Sequence, residues 1–168
     1  MSRQHLSVPI ILATIFWIAP LLISCKRDKC KKMVCLHGSC MEGICSCQAG
    51  YFGRKCGSVI NAGYDGTWNL TENCTAGTDY YSLRLLPKQG SLTGFRMVGL
   101  WEQADTLEVE SAADGFDFSA QRQRVGTVDL EAWGTSVASR DTIQLHYKAY
   151  QIGQPQAFDQ CTATLLRQ

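Results

Sequence analysis

Apolar and polar residues alternate in short runs through the chain from about residue 63 onward. Leu107 and Val109 alternate with Glu108 and Glu110, and every second residue of the run 143–149 is apolar or aromatic. Successive side chains of a β-strand point to opposite faces, so this period places one face of each strand toward a core and leaves the other in water. The pattern therefore predicts an antiparallel sheet that is solvated on one side.

About eight strands are predicted on this basis, separated by turn signals, and no stretch of the region keeps a helical period. Phe116 and Phe118 flank Asp117 in the same alternating manner, so both phenylalanines are expected to face inward. Strands of this number and kind favour a closed barrel or a two-sheet sandwich. The predicted strands span approximately 66–74, 79–86, 92–101, 105–111, 116–124, 127–138, 142–150 and 160–167.

Two cysteines lie in the first and last predicted strands and share the parity of inward-facing residues. Cys74 lies an even number of residues from Trp68 and Leu70, and Cys161 lies two residues from Ala163, so within each strand these residues share a face and have the same parity. In a meander with an even number of strands, the first and last strands run antiparallel, so the end of one lies beside the beginning of the other. We therefore predict a disulfide between Cys74 and Cys161 that closes the β-domain and spans 87 residues.

An uninterrupted apolar run replaces the alternation in the N-terminal part of the chain. The run from Val8 to Ile23 follows Arg3 and His5, and its sixteen residues fall short of the roughly 20 that a membrane-spanning helix needs. It predicts a cleaved signal peptide, residues 1–24, rather than a permanent membrane anchor.

The end of this run, Leu22-Ile23-Ser24-Cys25, resembles the lipobox at which bacterial lipoprotein signals are cut and the new N-terminal cysteine is acylated. The alternative is an ordinary signal peptide that is cleaved near Ser24. Nine cysteines would leave one thiol unpaired in an oxidising compartment, whereas a lipid on Cys25 leaves eight that can all pair. We therefore expect an exported lipoprotein that is membrane-anchored through Cys25, with the outer membrane as its location.

The cysteines between Cys30 and Cys56 follow the spacing C-x4-C-x4-C-x4-C-x-C-x8-C. About 30 residues cannot bury enough apolar surface to fold without covalent links, so the spacing predicts a disulfide module, although it leaves the pairing open. A zinc site is the competing interpretation, but zinc ligands usually come as C-x2-4-C pairs in reducing compartments. We therefore expect no metal and no cofactor.

The closing stretch of this segment, Cys45 to Cys56, resembles the EGF-like signature, in which a C-x-C pair is followed by Gly and an aromatic residue, a second Gly and a last cysteine. Many EGF-like modules bind calcium through acidic residues before the first cysteine, but Asp28 stands alone among basic residues here, so no calcium site is expected. The resemblance implies the disulfides Cys30–Cys40, Cys35–Cys45 and Cys47–Cys56.

Charge is divided between the two exported parts. Residues 25–56 carry seven Lys and Arg against two Asp and Glu, a net +5, whereas residues 57–168 carry eight against thirteen, a net −5. Basic residues beside a lipidated Cys25 would contribute about 1 kcal/mol each to binding an anionic membrane surface, and a solvated linker is the alternative. A basic run next to an export signal indicates a membrane before nucleic acid, so no nucleic-acid partner is expected.

No catalytic constellation is visible in the sequence. His37 lies in the EGF-like segment and His146 on the predicted polar face of a strand, without a plausible catalytic partner for either. A nucleophile needs an activated Ser, Cys or Lys beside a base, and every cysteine of the mature chain is already assigned to lipid or a disulfide. We therefore expect no catalytic residues and no enzymatic activity.

The tripeptide Gly66-Thr67-Trp68 resembles the opening motif of lipocalins, whose barrels hold a small apolar ligand. The competing interpretation is that Trp68, Trp101 and Trp133 fill the core or the ends of the barrel. An eight-stranded barrel is about wide enough to be filled by its own side chains, which favours the second interpretation.

Taken whole, the chain resembles the EGF-like-domain lipoproteins of Gram-negative bacteria, with a signal peptide at 1–24, an EGF-like module with a basic tether at 25–57 and a β-barrel-like domain at 63–168. The resemblance implies a non-enzymatic envelope or surface protein that acts in adhesion or binds an unidentified protein or glycan. The alternative is a lipocalin-like carrier of a small apolar ligand. A filled barrel interior would favour the first function, and a vacant apolar cavity would favour the second.

Overall fold

The computed structural model describes residues 28–168, so the predicted signal peptide and Cys25 lie outside the described residues. The described chain is mainly β and consists of a disulfide-rich N-terminal module with two small sheets, followed by a closed eight-stranded antiparallel barrel. The predicted fold class is confirmed, with the closed barrel in place of the sandwich. Among residues 28–168, no helix has the length and apolar character to span a membrane.

The N-terminal module contains two short β-hairpins held together by disulfides. Strands β1 (Gly38–Met41) and β2 (Ile44–Cys47) pair with each other, and β3 (Tyr51–Phe52) pairs with β4 (Ser58–Val59). The bridges are the three that the EGF-like resemblance implies, Cys30–Cys40, Cys35–Cys45 and Cys47–Cys56.

The barrel is a simple meander in which each strand pairs with the next and the last strand returns to the first. All its neighbouring strands are antiparallel, as the alternation of apolar and polar residues predicts. The strands are β5 (Gly66–Cys74), β6 (Gly77–Pro87), β7 (Phe95–Val98), β8 (Thr106–Ser111), β9 (Asp117–Val125), β10 (Val128–Ser136), β11 (Thr142–Tyr150) and β12 (Ala157–Arg167).

Strand β7 is shorter than the predicted strand 92–101. Gly99 ends it with a φ of 97°, a conformation that favours glycine, and the following residues 100–102 form a 3-10 helix. The helix places the Trp101 ring in edge-to-face contact with Tyr147 and Phe158, at 6.0 Å between ring centroids in both pairs. The chain therefore turns at this end of the barrel instead of continuing the strand.

The inward-facing residues of the barrel form one continuous hydrophobic core. Leu107, Val109, Leu145 and Tyr147, which the alternation places inside, are fully buried. Each such aliphatic or aromatic side chain contributes about 1.5–3 kcal/mol on burial. Other fully buried members of the core are Trp68, Leu70, Leu85, Phe95, Met97, Leu130, Ile143, Ala149 and Leu165.

Two aromatic residues that were expected inside the barrel lie at its surface. Phe116 is 41% exposed because it precedes β9 in a turn, where its N–H donates to the Asp114 carboxylate, whereas Phe118 is buried as predicted. Trp133 is 39% exposed because it lies one position from the inward-facing Ala132 of β10, on the outward face. The predicted inward orientation is therefore wrong for both aromatic residues.

The predicted bridge between Cys74 and Cys161 is confirmed. The two cysteines are direct partners in the register of β5 and β12, the strand pair that closes the barrel. Cys161 is almost fully buried and belongs to the hydrophobic core. The covalent link therefore lies at the seam between the first and last barrel strands.

The segment 57–63, which joins the module to the barrel, is fixed to the barrel by two buried residues, Ile60 and Asn61. Ile60 is fully buried in the barrel core, and its N–H donates to the carbonyl oxygen of Gly50 at 3.0 Å. The Asn61 amide donates to the carbonyl oxygen of Ser91 at 2.6 Å. The joint is therefore a packed hinge, and whether the two predicted domains fold independently stays a prediction.

Candidate functional site

The interior of the barrel is filled by its own side chains. Trp68, Leu85 and Met97 are completely buried, and the Trp68 indole N–H donates to the backbone oxygen of Tyr64 at 3.1 Å. Cavities of 220–560 Å³ lie at the ends of the barrel or on its outer surface. Candidate binding sites therefore have to be sought at the two ends and on the outside.

The two ends of the barrel are built differently. The end that contacts the N-terminal module is called the module end, and it is formed by the loops 88–94, 112–116 and 137–141. The opposite end is called the free end, and it is formed by the loops 75–76, 99–105, 126–127 and 151–156.

Tyr64 closes the module end from inside. Its ring is fully buried and stacks on Phe95 with 4.3 Å between ring centroids. Its hydroxyl donates to the carbonyl oxygen of Gly115 at 2.6 Å and lies 3.2 Å from the Ser136 hydroxyl. Burial raises the pKa of Tyr64, so the phenol stays neutral and acts as a hydrogen-bonded plug.

Arg140 connects this plug to the module. Its side chain is 4% exposed, and the guanidinium group donates from Nη1 to the Gly115 oxygen at 3.0 Å and from Nη2 to the Asp114 oxygen at 3.2 Å. The guanidinium carbon lies 4.1 Å from the centre of the Phe52 ring, which belongs to the module. The two Nη hydrogen bonds lie within the barrel loops and Nε has no hydrogen-bond partner among the described residues, so Arg140 reaches the module through its contact with the Phe52 ring.

A groove of 560 Å³ lies between the module and the barrel, and we call it the inter-module groove. Tyr51 and Phe52 line it from the module, and Ala113, Phe116 and Ala138 line it from the barrel. Its volume lies within the roughly 300–1,000 Å³ of typical ligand pockets. The lining is mainly apolar and aromatic, so it is suited to an apolar side chain of a partner.

The backbone of Gly50 allows the module to approach the barrel at this groove. Its N–H donates to the Ala113 oxygen at 3.3 Å, and a Cβ at this position would lie 2.7 Å from the Leu92 Cβ. Gly50 also has a φ of 88°, which other residues rarely adopt. A glycine is therefore required where the two parts meet.

The module also presents apolar side chains to solvent. A small disulfide-stapled module has little interior in which to hide such side chains. Contiguous exposed apolar surface marks sites of protein or membrane contact more often than singly exposed residues do. The most exposed large apolar side chains of the module are Val34 (65%), Leu36 (63%), Met41 (66%) and Ile44 (73%).

The free end holds a buried carboxylate and two tyrosines. Glu72, on β5, accepts hydrogen bonds at Oε2 from the hydroxyls of Tyr147 at 2.5 Å and Tyr81 at 3.1 Å. Burial raises the pKa of the Glu72 carboxyl, and the nearby charges of Asp79 and Asp159 raise it further. Burial also raises the pKa values of both tyrosines, so the two hydroxyls remain donors.

The sequence prediction missed this cluster, although a signal for it was present. Glu72 has the parity of Trp68 and Leu70, and Asp159 has the parity of Cys161, so both acids fall on the inward face of their strands. An acidic residue at an inward position of a barrel strand is unusual, because a buried charge is costly without a partner.

The two histidines considered from sequence lie on aromatic rings at the surface. His37 stacks on Tyr51 with 3.9 Å between ring centroids, and His146 stacks on Trp133 with 5.8 Å. Lys148 also lies over Trp133, at 5.4 Å. The structure therefore places both histidines on aromatic surfaces, and His146 lies on the polar face of β11 as predicted.

Comparison of the chain with protein-family models, with curated proteins and with solved structures finds no match.

Proposed function

We propose that the protein is an exported, non-enzymatic lipoprotein, anchored in the outer membrane by a lipid on Cys25, that binds a partner in the inter-module groove. The resemblance of residues 22–56 to lipobox and EGF-like sequences supports the anchoring and the export. The partner is a protein or a glycan, and the apolar lining of the groove favours a protein segment that presents an apolar side chain.

The filled barrel interior is the observation on which this proposal rests, because it argues against the carrier function and leaves the surface of the protein as the binding region. A lipocalin-like carrier needs a vacant apolar cavity inside the barrel, whereas Trp68, Tyr147 and their neighbours occupy that space. The inter-module groove is larger than the other cavities described above, at 560 Å³. It lies between two parts that are joined by the Arg140–Phe52 contact and by the hydrogen bond from Gly50 to Ala113, so little ordering of the binding surface is needed when a partner binds.

Replacement of Cys25 by alanine should release the protein from membranes. Without the acyl chains, the basic residues 26–32 provide only weak and reversible attraction to an anionic surface. Membranes from cells that produce the wild-type or the Cys25→Ala protein are washed at high salt, and the protein is followed by immunoblotting. We expect the wild-type protein in the pellet and the variant in the supernatant, and retention of the variant would refute lipid anchoring.

Filling the groove should weaken partner binding. Ala138 is exposed and lines the groove, so Ala138→Trp occupies it without touching the core. Thr162→Trp places the same side chain on the outer face of β12 and serves as the control. Chemical crosslinking in cells followed by affinity purification should recover about tenfold less partner with Ala138→Trp and an unchanged amount with Thr162→Trp. Equal recovery from both variants would remove the groove from the proposal.

A further inference from the structure

A cavity at the free end is lined by acidic residues that form no ion pair with a basic residue of the described chain. Glu72, Asp79 and Asp159 all line a cavity of 220 Å³ at this end. Within residues 28–168 the ion pairs join residues outside this cavity, Lys88 with Glu108 or Glu110, and Asp129 with Arg122 or Arg124.

Asp159 is a buried acid with one unpaired carboxylate oxygen. It is 2% exposed, and its Oδ1 accepts hydrogen bonds from the backbone N–H groups of Gln160 at 2.8 Å and Ala76 at 3.3 Å. Its Oδ2 is buried and has no hydrogen-bond partner among the described residues. A buried carboxylate oxygen without a donor is destabilising, and Asp159 is one of the residues that line the cavity.

Glu72 supplies a second acceptor on the same cavity. It is 5% exposed, and both tyrosine hydroxyls donate to the same oxygen, Oε2. Within the described part of the chain, Oε1 accepts no hydrogen bond and is left for a ligand. The cavity therefore has carboxylate oxygens on two strands, β5 and β12.

Trp101 provides an aromatic wall beside these carboxylates. Its backbone N–H donates to the Tyr81 hydroxyl at 3.0 Å, and its ring packs edge-to-face against Tyr147. The residue is half-buried and lines the same cavity. The face of a tryptophan ring attracts cations, so the aromatic wall and the carboxylates select for the same charge.

An ammonium group suits this arrangement better than a metal ion. Calcium requires about six to eight oxygen ligands around one point. In the described chain, the potential metal-ligand atoms that converge within 4.8 Å are those of Cys74, Asp159 and Cys161, and both sulfurs are held in a disulfide. An ammonium group has three separate N–H donors and can serve acceptors that lie apart.

We propose that the free end binds a small primary alkylammonium ligand. The ammonium group donates to Glu72 Oε1 and lies beside Asp159, whose negative charge it balances, and the alkyl part lies against Trp101. The source is a free amine or a lysine side chain of a partner, which present the same chemistry. This site lies at the opposite end of the barrel from the inter-module groove and does not depend on the function proposed for that groove.

The test is isothermal titration calorimetry of the purified full-length protein with n-butylammonium, tetramethylammonium and calcium chlorides. We expect n-butylammonium to bind most tightly, because tetramethylammonium has no N–H donors and calcium lacks a converging ligand set. Titration with Nα-acetyl-lysine amide, whose side-chain ammonium group is free, tests whether a lysine side chain is accepted. Tighter binding of calcium or of tetramethylammonium, or no binding of n-butylammonium, would overturn the proposal.

Two variants locate the site. Asp159→Asn keeps the shape and the Oδ1 acceptor but removes the charge, so affinity for n-butylammonium should fall by about tenfold or more. Asp117→Asn removes an exposed charge at the module end and should leave the affinity unchanged. Trp101→Leu keeps an apolar side chain and should also weaken binding. It tests the site independently if the Asp159→Asn protein proves not to be folded, which the absence of a cooperative unfolding transition would reveal. Unchanged affinity in the folded Asp159→Asn or Trp101→Leu protein contradicts the assignment.

Discussion

Replacing Trp68 by alanine is expected to lower the free energy of unfolding by about 3–5 kcal/mol, which is a large part of the roughly 5–15 kcal/mol that stabilises a typical domain. The indole ring is completely buried in the barrel, its N–H donates to the Tyr64 oxygen, and the Arg167 guanidinium lies 4.9 Å from the ring centre. Truncation leaves a cavity and an unpaired backbone oxygen, because the surrounding barrel strands cannot collapse into the space. Urea denaturation followed by far-UV circular dichroism measures the change.

Trp133 offers a matched control for this measurement. It is the same residue type on the outer face of the barrel, where it is 39% exposed. Trp133→Ala removes surface stacking on His146 and should cost about 1 kcal/mol or less. If the two variants lose the same stability, the barrel interior is not packed as described. That result would favour the alternative function, a carrier with a ligand cavity inside the barrel.

Removing the barrel disulfide by Cys74→Ala with Cys161→Ala should lower the free energy of unfolding by about 2–5 kcal/mol. The bridge spans 87 residues, so in the chain-entropy model it restricts the unfolded chain strongly. The paired register of β5 and β12 keeps the barrel closed in the folded state, so we expect native-like circular dichroism and a lower transition midpoint.

The control for this variant is the module disulfide, Cys47 to Cys56, which spans only nine residues. Its removal should speed hydrogen exchange in β3 and β4 while the protection of β5 and β12 persists. An unchanged unfolding midpoint for the Cys74→Ala, Cys161→Ala protein would show that the seam between β5 and β12 does not limit barrel stability.

The barrel strands could be predicted because a strand buried on one face carries its signal in its own residues. The alternation that includes Leu107 and Val109 specifies which face of β8 is buried without knowledge of its neighbours. The covalent closure followed from the same parity, applied to Cys74 and Cys161. Both inferences need only the period of the strand and the direction of a meander.

Parity also explains the errors. Trp133 lies on the outward face of β10, so its hydrophobicity wrongly suggested a buried position. Phe116 lies before β9 begins, so the alternation of that strand does not determine which way it faces. Gly99 ends β7 early through a backbone conformation, and a sequence pattern of apolar residues continues past it. Large apolar residues at a surface are common, so residue type is a weaker guide than register.

The candidate sites could be predicted only in part. Glu72 and Asp159 are marked by their inward parity, but the unpaired Asp159 oxygen and the aromatic wall of Trp101 arise from tertiary packing. The inter-module groove joins segments that are far apart in sequence, and Arg140 lies in a turn that resembles any polar turn. A buried arginine of this kind is recognised from its contacts with Phe52 and the Gly115 oxygen, which the sequence does not display.

The central claim, that the inter-module groove binds a partner while the protein is anchored in the envelope, is tested most directly by site-specific photocrosslinking in intact cells. A photoreactive phenylalanine analogue replaces either Phe116, 41% exposed in the groove, or Phe158, 48% exposed at the free end. The two positions match in residue type and exposure, so they differ mainly in location. We predict a discrete adduct from position 116 and none of the same mass from position 158. No adduct from position 116, or the same adduct from both positions, would contradict the account.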